Sequence, residues 1–180
     1  MSETPKVVGR LHHNAHVTTD MASVRRFYEE IVGFPLVATW CEKTHLFGKE
    51  RVYMHCFFEV GNGECLAFFQ FADAEDHAEF GPELALSPFR HLAMKVDRKS
   101  QDGIRARLAK AGYEEPDTYF LDHGYCQSLY VMDPAKLLVE FTVDHEDVDE
   151  INADQLARAH AELDRWLGGD HSPNNEAYHR

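Results

Sequence analysis

Residues 13–33, HNAHVTTDMASVRRFYEEIVG, decide the fold. His13 to Thr19 alternates like a strand, Asp20 stands where a helix cap is needed, and Val24, Phe27 and Ile31 recur at helical spacing before Gly33 stops the helix. The same order returns at residues 91–112, HLAMKVDRKSQDGIRARLAKAG. His91 to Asp97 reads as a strand, Ser100 as a cap, Ile104, Leu108 and Ala111 as an apolar stripe, and Gly112 as the end. An internal repeat sets the architecture, because each copy must solve the same burial problem.

Working outward, three β-type runs follow each helix. In the first half they are Pro35 to Cys41, Arg51 to Val60 and Glu64 to Phe71, with Gly61-Asn62-Gly63 as a tight hairpin turn. In the second they are Glu114 to Leu121, Tyr125 to Met132 and Lys136 to Val143, with Asp133-Pro134 opening the last turn. Each half is therefore β-α-β-β-β. The acidic, proline-bearing stretch from Ala72 to Pro88 reads as a linker with a short helix. Beyond it, Leu156, Ala159, Leu163 and Trp166 mark an amphipathic helix over Asn152 to Leu167, and the last dozen residues read as disordered.

The chain has 180 residues and a formal net charge of −13. That length fills one domain, and that charge repels phosphate backbones and anionic lipid, so no nucleic-acid or membrane partner is expected. No apolar run is long enough to cross a bilayer and no leader precedes the first strand, which gives a cytoplasmic reading. Cys41, Cys56, Cys65 and Cys126 are scattered without a C-x-x-C pair, and free thiols are expected. A small neutral or weakly acidic substrate fits this composition.

Three residues carry the chemistry. His13 and His91 open matching strands, and Glu140 lies in the last one, where Leu138, Glu140 and Thr142 share a face. Ala15 and Ala93 are small neighbours on the histidines' faces and leave room for an ion. A carboxylate among hydrophobes is costly unless paired or bound to a cation. Two imidazoles and one carboxylate are the ligand pattern of non-heme Fe(II) sites that use dioxygen. Alternation on the first strand leaves His12 and His16 open as alternatives to His13. When Glu64 to Gln70 is laid over Lys136 to Thr142, Phe68 falls where Glu140 stands, so the repeat supplies one carboxylate.

This order of elements, with Phe27-Tyr28 in the first helix, Asp20 seven residues after His13, and Asp133-Pro134 shortly before Glu140, resembles the vicinal oxygen chelate superfamily over roughly residues 11 to 144. That superfamily includes glyoxalase I, extradiol dioxygenases, methylmalonyl-CoA epimerase and bleomycin-resistance proteins. The resemblance implies an α+β fold of two βαβββ modules forming one open mixed-sheet barrel around a metal, plus a C-terminal helix. The expected domain spans residues 1–150, with modules at 11–72 and 88–145, followed by a helix and tail over 151–180. The superfamily spacing favours His13 over its neighbours.

His123, Leu129-Tyr130, Asp133-Pro134 and Glu140 further resemble the signature of type I extradiol ring-cleaving dioxygenases. Leu121 and Lys136 depart from it in the loop framework. This resemblance implies Fe(II), with Mn(II) as the alternative, held by His13, His91 and Glu140, a small aromatic diol and O2 as substrates, and Tyr130 and His123 as catalytic residues. The family's second-shell histidine has no counterpart in Asn62-Gly63-Glu64-Cys65, which leaves His55, His123 or Glu64 for that work. His45, His77, His160, His171 and His179 read as solvated surface. A homo-oligomer is expected. Two rival readings stand beside it: a metal-dependent isomerase, epimerase or lyase, and a non-catalytic small-molecule binding protein.

Overall fold

The computed structural model describes residues 9–82 and 85–174. It divides into two compact units, one comprising the chain up to Pro88 with Asp133–Leu137, the other Phe89–Met132 and the chain from Leu138 onward.

The first unit carries β1 (His13–Val17), α1 (Met21–Arg25), β2 (Leu36–Leu46), β3 (Lys49–Gly61), β4 (Glu64–Phe71) and α2 (Ala74–Phe80), with sheet order β1-β4-β3-β2. Asp20 caps α1 by accepting from the Ser23 amide at 2.9 Å. From Arg26 to Val32 the helix widens into a π-helical segment, which ends at Gly33 in the left-handed region (φ 99°). Strand β1 is parallel to β4, and the other pairs are antiparallel. The helix-side face of the sheet buries Cys56, Phe58, Leu66 and Phe68 against Val24, Phe27 and Tyr28.

Strands β2 and β3 run further than expected, meeting at a two-residue turn where Phe47 (φ 51°) and Gly48 (φ 88°) both take positive φ. Such a turn usually announces itself with Asn-Gly; phenylalanine hides it. Its Phe47 ring packs on Phe80, which in turn packs on Phe71. Arg51, buried on β3, pairs with Asp76 and Glu79 of α2 and so fixes that helix to the sheet. His77 on α2 is half-buried with Nδ1 shielded, not solvated as expected.

The second unit repeats the plan with β5 (His91–Lys95), α3 (Arg98–Lys110), β6 (Thr118–Asp122), β7 (Cys126–Met132) and β8 (Leu138–Asp144), in order β5-β8-β7-β6. Asp97, not Ser100, caps α3: it accepts from the Ser100 amide at 2.6 Å, so Ser100 sits one turn inside. Ile104 and Leu108 pack toward the face of Leu129, Val131, Val139 and Phe141. Gln101 is buried between them because its Nε2 donates to the Phe141 and Gln127 carbonyls.

Strand β6 starts four residues later than expected, after a turn through Pro116, and β8 starts at Leu138 because Lys136 takes a left-handed conformation (φ 65°). The C-terminal helix α4 spans Val148–Leu167, starting earlier than expected, and none of its residues is buried. His45, His160 and His171 are exposed as expected; His179 and the end of the tail, 175–180, lie outside the described residues. All four cysteines are free. The α+β class of paired βαβββ modules with a terminal helix is thus observed. No described helix is long and apolar enough to cross a membrane.

Candidate metal centre

Ladder register decides which side chains share a face. In the second unit Ala93 pairs with Glu140, Glu140 with Tyr130, and Tyr130 with Tyr119, while His91 pairs with Leu138. His91, Glu140, Tyr130 and Tyr119 therefore project from one side of the sheet. His123 joins the same side just beyond β6, where its amide donates to the Cys126 carbonyl at 2.9 Å. The residues expected at the site in this half are brought together.

Glu140 is only 5 % exposed. His91 Nε2 stands 2.9 Å from Glu140 Oε2. Two donors each roughly 2.1 Å from one ion, at a right angle, stand about 3.0 Å apart, so this pair has the spacing of adjacent ligands. At 2.9 Å this imidazole and carboxylate can equally hydrogen-bond to each other or serve as two donors to a divalent metal. Beside it, the Tyr130 hydroxyl is hydrogen-bonded to His123 Nε2 at 3.0 Å, and its ring stacks on Tyr119 with centroids 4.9 Å apart. Burial and the negative charge of Glu140 push the Tyr130 phenol well above its usual range, and the same two causes raise Tyr119. Tyr130 is therefore a neutral hydroxyl at any physiological pH.

In the first unit His13, Ala15 and Val17 share a face with Cys65, Ala67 and Phe69 of β4 and with Phe57 and His55 of β3. His13 and His12 are hydrogen-bonded through their Nδ1 atoms at 2.7 Å, which leaves Nε2 as the nitrogen His13 can offer a metal. His55 stacks on Phe69 at 3.6 Å and lies edge-on to His13 at 5.9 Å. Burial first, then His13, lowers its pKa, and its Nε2 is shielded with no partner among the described residues. Glu64, another candidate acid–base group, is turned to Arg10 at 3.1 Å.

His16 is on the opposite face, packed on Phe68 with its Nε2 buried, and burial lowers its pKa. Of the alternatives to His13, it belongs to the helix side of the sheet.

One expectation about the missing carboxylate is corrected. Val17 and Lys95 occupy matching places, since Thr18 N donates to the Phe69 carbonyl as Val96 N donates to that of Thr142, each at 2.9 Å. Ala15 then matches Ala93, and the residue paired with Ala15, corresponding to Glu140, is Ala67. Phe68 faces the helix instead. Counting back from the two turns missed this, because the first joins its strands through Asn62-Gly63 and the second through Asp133 to Leu137; a slip of one residue flips the face. Alanine, like phenylalanine, supplies no carboxylate.

Comparison with known proteins places the fold. FosX, a fosfomycin resistance protein from Mesorhizobium loti, is 20 % identical with a TM-score of 0.52, covering 84 % of this chain and 100 % of that one. A glyoxylase/bleomycin resistance protein/dioxygenase domain from Frankia sp. is 20 % identical with a TM-score of 0.53, covering 78 % and 95 %. A FosX mutant from Listeria monocytogenes, complexed with Mn(II) and a dihydroxypropylphosphonic acid, is 15 % identical with a TM-score of 0.55, covering 78 % and 97 %. No curated protein matches the chain. The family model for the Glyoxalase/Bleomycin resistance protein/Dioxygenase superfamily matches residues 10–141, and the chain belongs to that superfamily.

Proposed function

We propose that this chain is an extradiol dioxygenase that uses Fe(II), or Mn(II) in its place, to cleave a catechol-type ring beside its two hydroxyls with O2. His13, His91 and Glu140 are the ligands in this reading. The observation that carries it is the grouping of His91, Glu140, Tyr130 and His123 on one sheet face, with a single buried carboxylate and alanine at the matching place in the first half. With His13, His91 and Glu140 as its protein donors, a bound divalent ion would keep room for a chelating diol and dioxygen.

The bound metal supplies the electronic path between the catecholate and dioxygen. The protein's share is positioning. Tyr130, held neutral by burial beside Glu140, donates a hydrogen bond to a substrate oxygen and stabilises negative charge that develops there. His123 orients that hydroxyl through their hydrogen bond. Tyr119, stacked on Tyr130, keeps the ring from turning and helps exclude water.

The test is reconstitution with Fe(II) without oxygen, addition of a panel of catechols, and admission of air. A yellow ring-fission product that forms only after air enters is the expected result. Turnover of a substrate without oxygen assigns an isomerase or lyase instead, and no colour from any catechol with one iron tightly bound per chain refutes the dioxygenase.

A further inference from the structure

Helix α4 keeps polar residues half covered and its large apolar residues open. Val148, Ile151, Gln155, Arg158, Glu162 and Arg165 form its half-buried stripe, and four of these six are polar. Leu156, Ala159, Leu163 and Trp166 form a second stripe, roughly a quarter turn round the helix from the first. Leu156 is 79 % exposed, and Leu163, Trp166 and the adjoining Leu167 are each more than half exposed. A helix that packs its apolar face on its own domain shows the reverse order.

The open stripe is spaced three, four and three residues apart, which is the a/d pattern of a narrow helix-pairing seam. It is also self-complementary. Laid antiparallel on a copy of itself about the level of Ala161, it sets Leu156 against the partner's Trp166 and Ala159 against the partner's Leu163, so each layer joins a larger side chain to a smaller one. Charge selects the same direction. Asp147, Asp149, Glu150 and Asp154 crowd the start of α4, whereas Arg158 and Arg165 lie further along. Parallel pairing sets the two acidic starts side by side; antiparallel pairing sends them to opposite ends, each beyond the partner's Leu167.

Trp166 is already fixed for such contact. Beyond the helix, Arg165 donates to the Asp170 and Ser172 carbonyls at 3.0 and 2.7 Å and turns the chain back, so that the His171 ring packs on the indole with centroids 4.3 Å apart. A side chain ordered before contact loses less freedom on burial. Four large side chains left more than half open make a patch on the order of 500 Å², and two such patches meeting give roughly 1,000 Å², enough for a specific but weak interface.

We propose that α4 is a dimerisation element that pairs antiparallel with α4 of a second copy of this chain through Leu156, Ala159, Leu163 and Trp166. The inference is independent of the metal chemistry.

Sedimentation velocity of the full chain from about 1 to 200 µM tests it, with a monomer–dimer equilibrium and a dissociation constant on the order of 10 µM expected. Leu163→Glu, in the middle of the stripe, should weaken association by at least about tenfold. Ala161→Glu adds the same charge on the far side of the helix and should leave the constant within about twofold. A native chain that stays monomeric throughout, or a dimer of equal affinity in Leu163→Glu that is folded by circular dichroism, overturns the proposal. A second measurement does not depend on that variant. With the exposed thiol removed by Cys41→Ser, chains carrying Ala159→Cys and Leu163→Cys are mixed and oxidised. Disulfides joining one kind to the other should predominate; disulfides joining like to like, or none at concentrations where the dimer forms, overturn the proposal as well.

Discussion

The Tyr28 hydroxyl donates to Asp133 Oδ2 at 2.7 Å, joining the first helix to the turn after β7, and both residues are buried. The Leu137 amide donates to the other carboxyl oxygen at 2.8 Å. Burial nevertheless outweighs these donors and pushes the Asp133 carboxyl up to about 6.

A folded-state value above that of the unfolded chain means that the native protein binds the proton more tightly. The contribution is fully present below about pH 4 and is lost as pH rises through about 6, a difference on the order of 3 kcal/mol. Asp133→Asn removes this titration. Urea unfolding at pH 4.5 and 7.5 should show a smaller gain on acidification in the variant than in the native chain; identical gains would count against a raised Asp133.

Removal of any proposed ligand should release the metal. Glu140→Ala, His91→Ala and His13→Ala are each expected to weaken Fe(II) binding by at least about 100-fold, read as metal content after dialysis. His16→Ala, on the helix side of the sheet, should leave metal content unchanged. Metal lost with His16 and kept without His13 would reverse the assignment on β1.

Tyr130→Phe keeps the ring against Tyr119 but removes the hydroxyl bonded to His123. A fall in kcat of about 10²-fold with unchanged iron content is expected. A change confined to KM would make Tyr130 a wall of the pocket only.

Lys136 holds φ 65° in the turn after Asp133-Pro134, a region that glycine enters without steric cost. Lys136→Gly should raise stability by up to about 1 kcal/mol, visible as a higher thermal midpoint at pH 7.

Much of the fold was legible because it is local. Alternation in β1 and β5, the Asp20 cap, the Gly33 stop and the Gly61-Asn62-Gly63 turn are written in adjacent residues, and each stands where it was expected. His91 and Glu140 could be placed on strand faces by alternation, whereas Tyr130 and His123 were pointed to by the extradiol resemblance; all four lie on one side of the second sheet. The long β2–β3 hairpin was not legible, since Phe47 gives no turn signal, and neither was the widening of the first helix from Arg26 onward.

What the chain's sequence determined by itself is therefore the list of strands and helices and the alternation along each. What only tertiary structure decided is how those strands are set against one another: that Ala67 and not Phe68 corresponds to Glu140, and that His16 turns to the helix while His13 does not. Alternation specifies side chains only relative to their own strand. Hydrogen-bonded register between strands far apart in sequence fixes which side they share, and a shift of one residue reverses it.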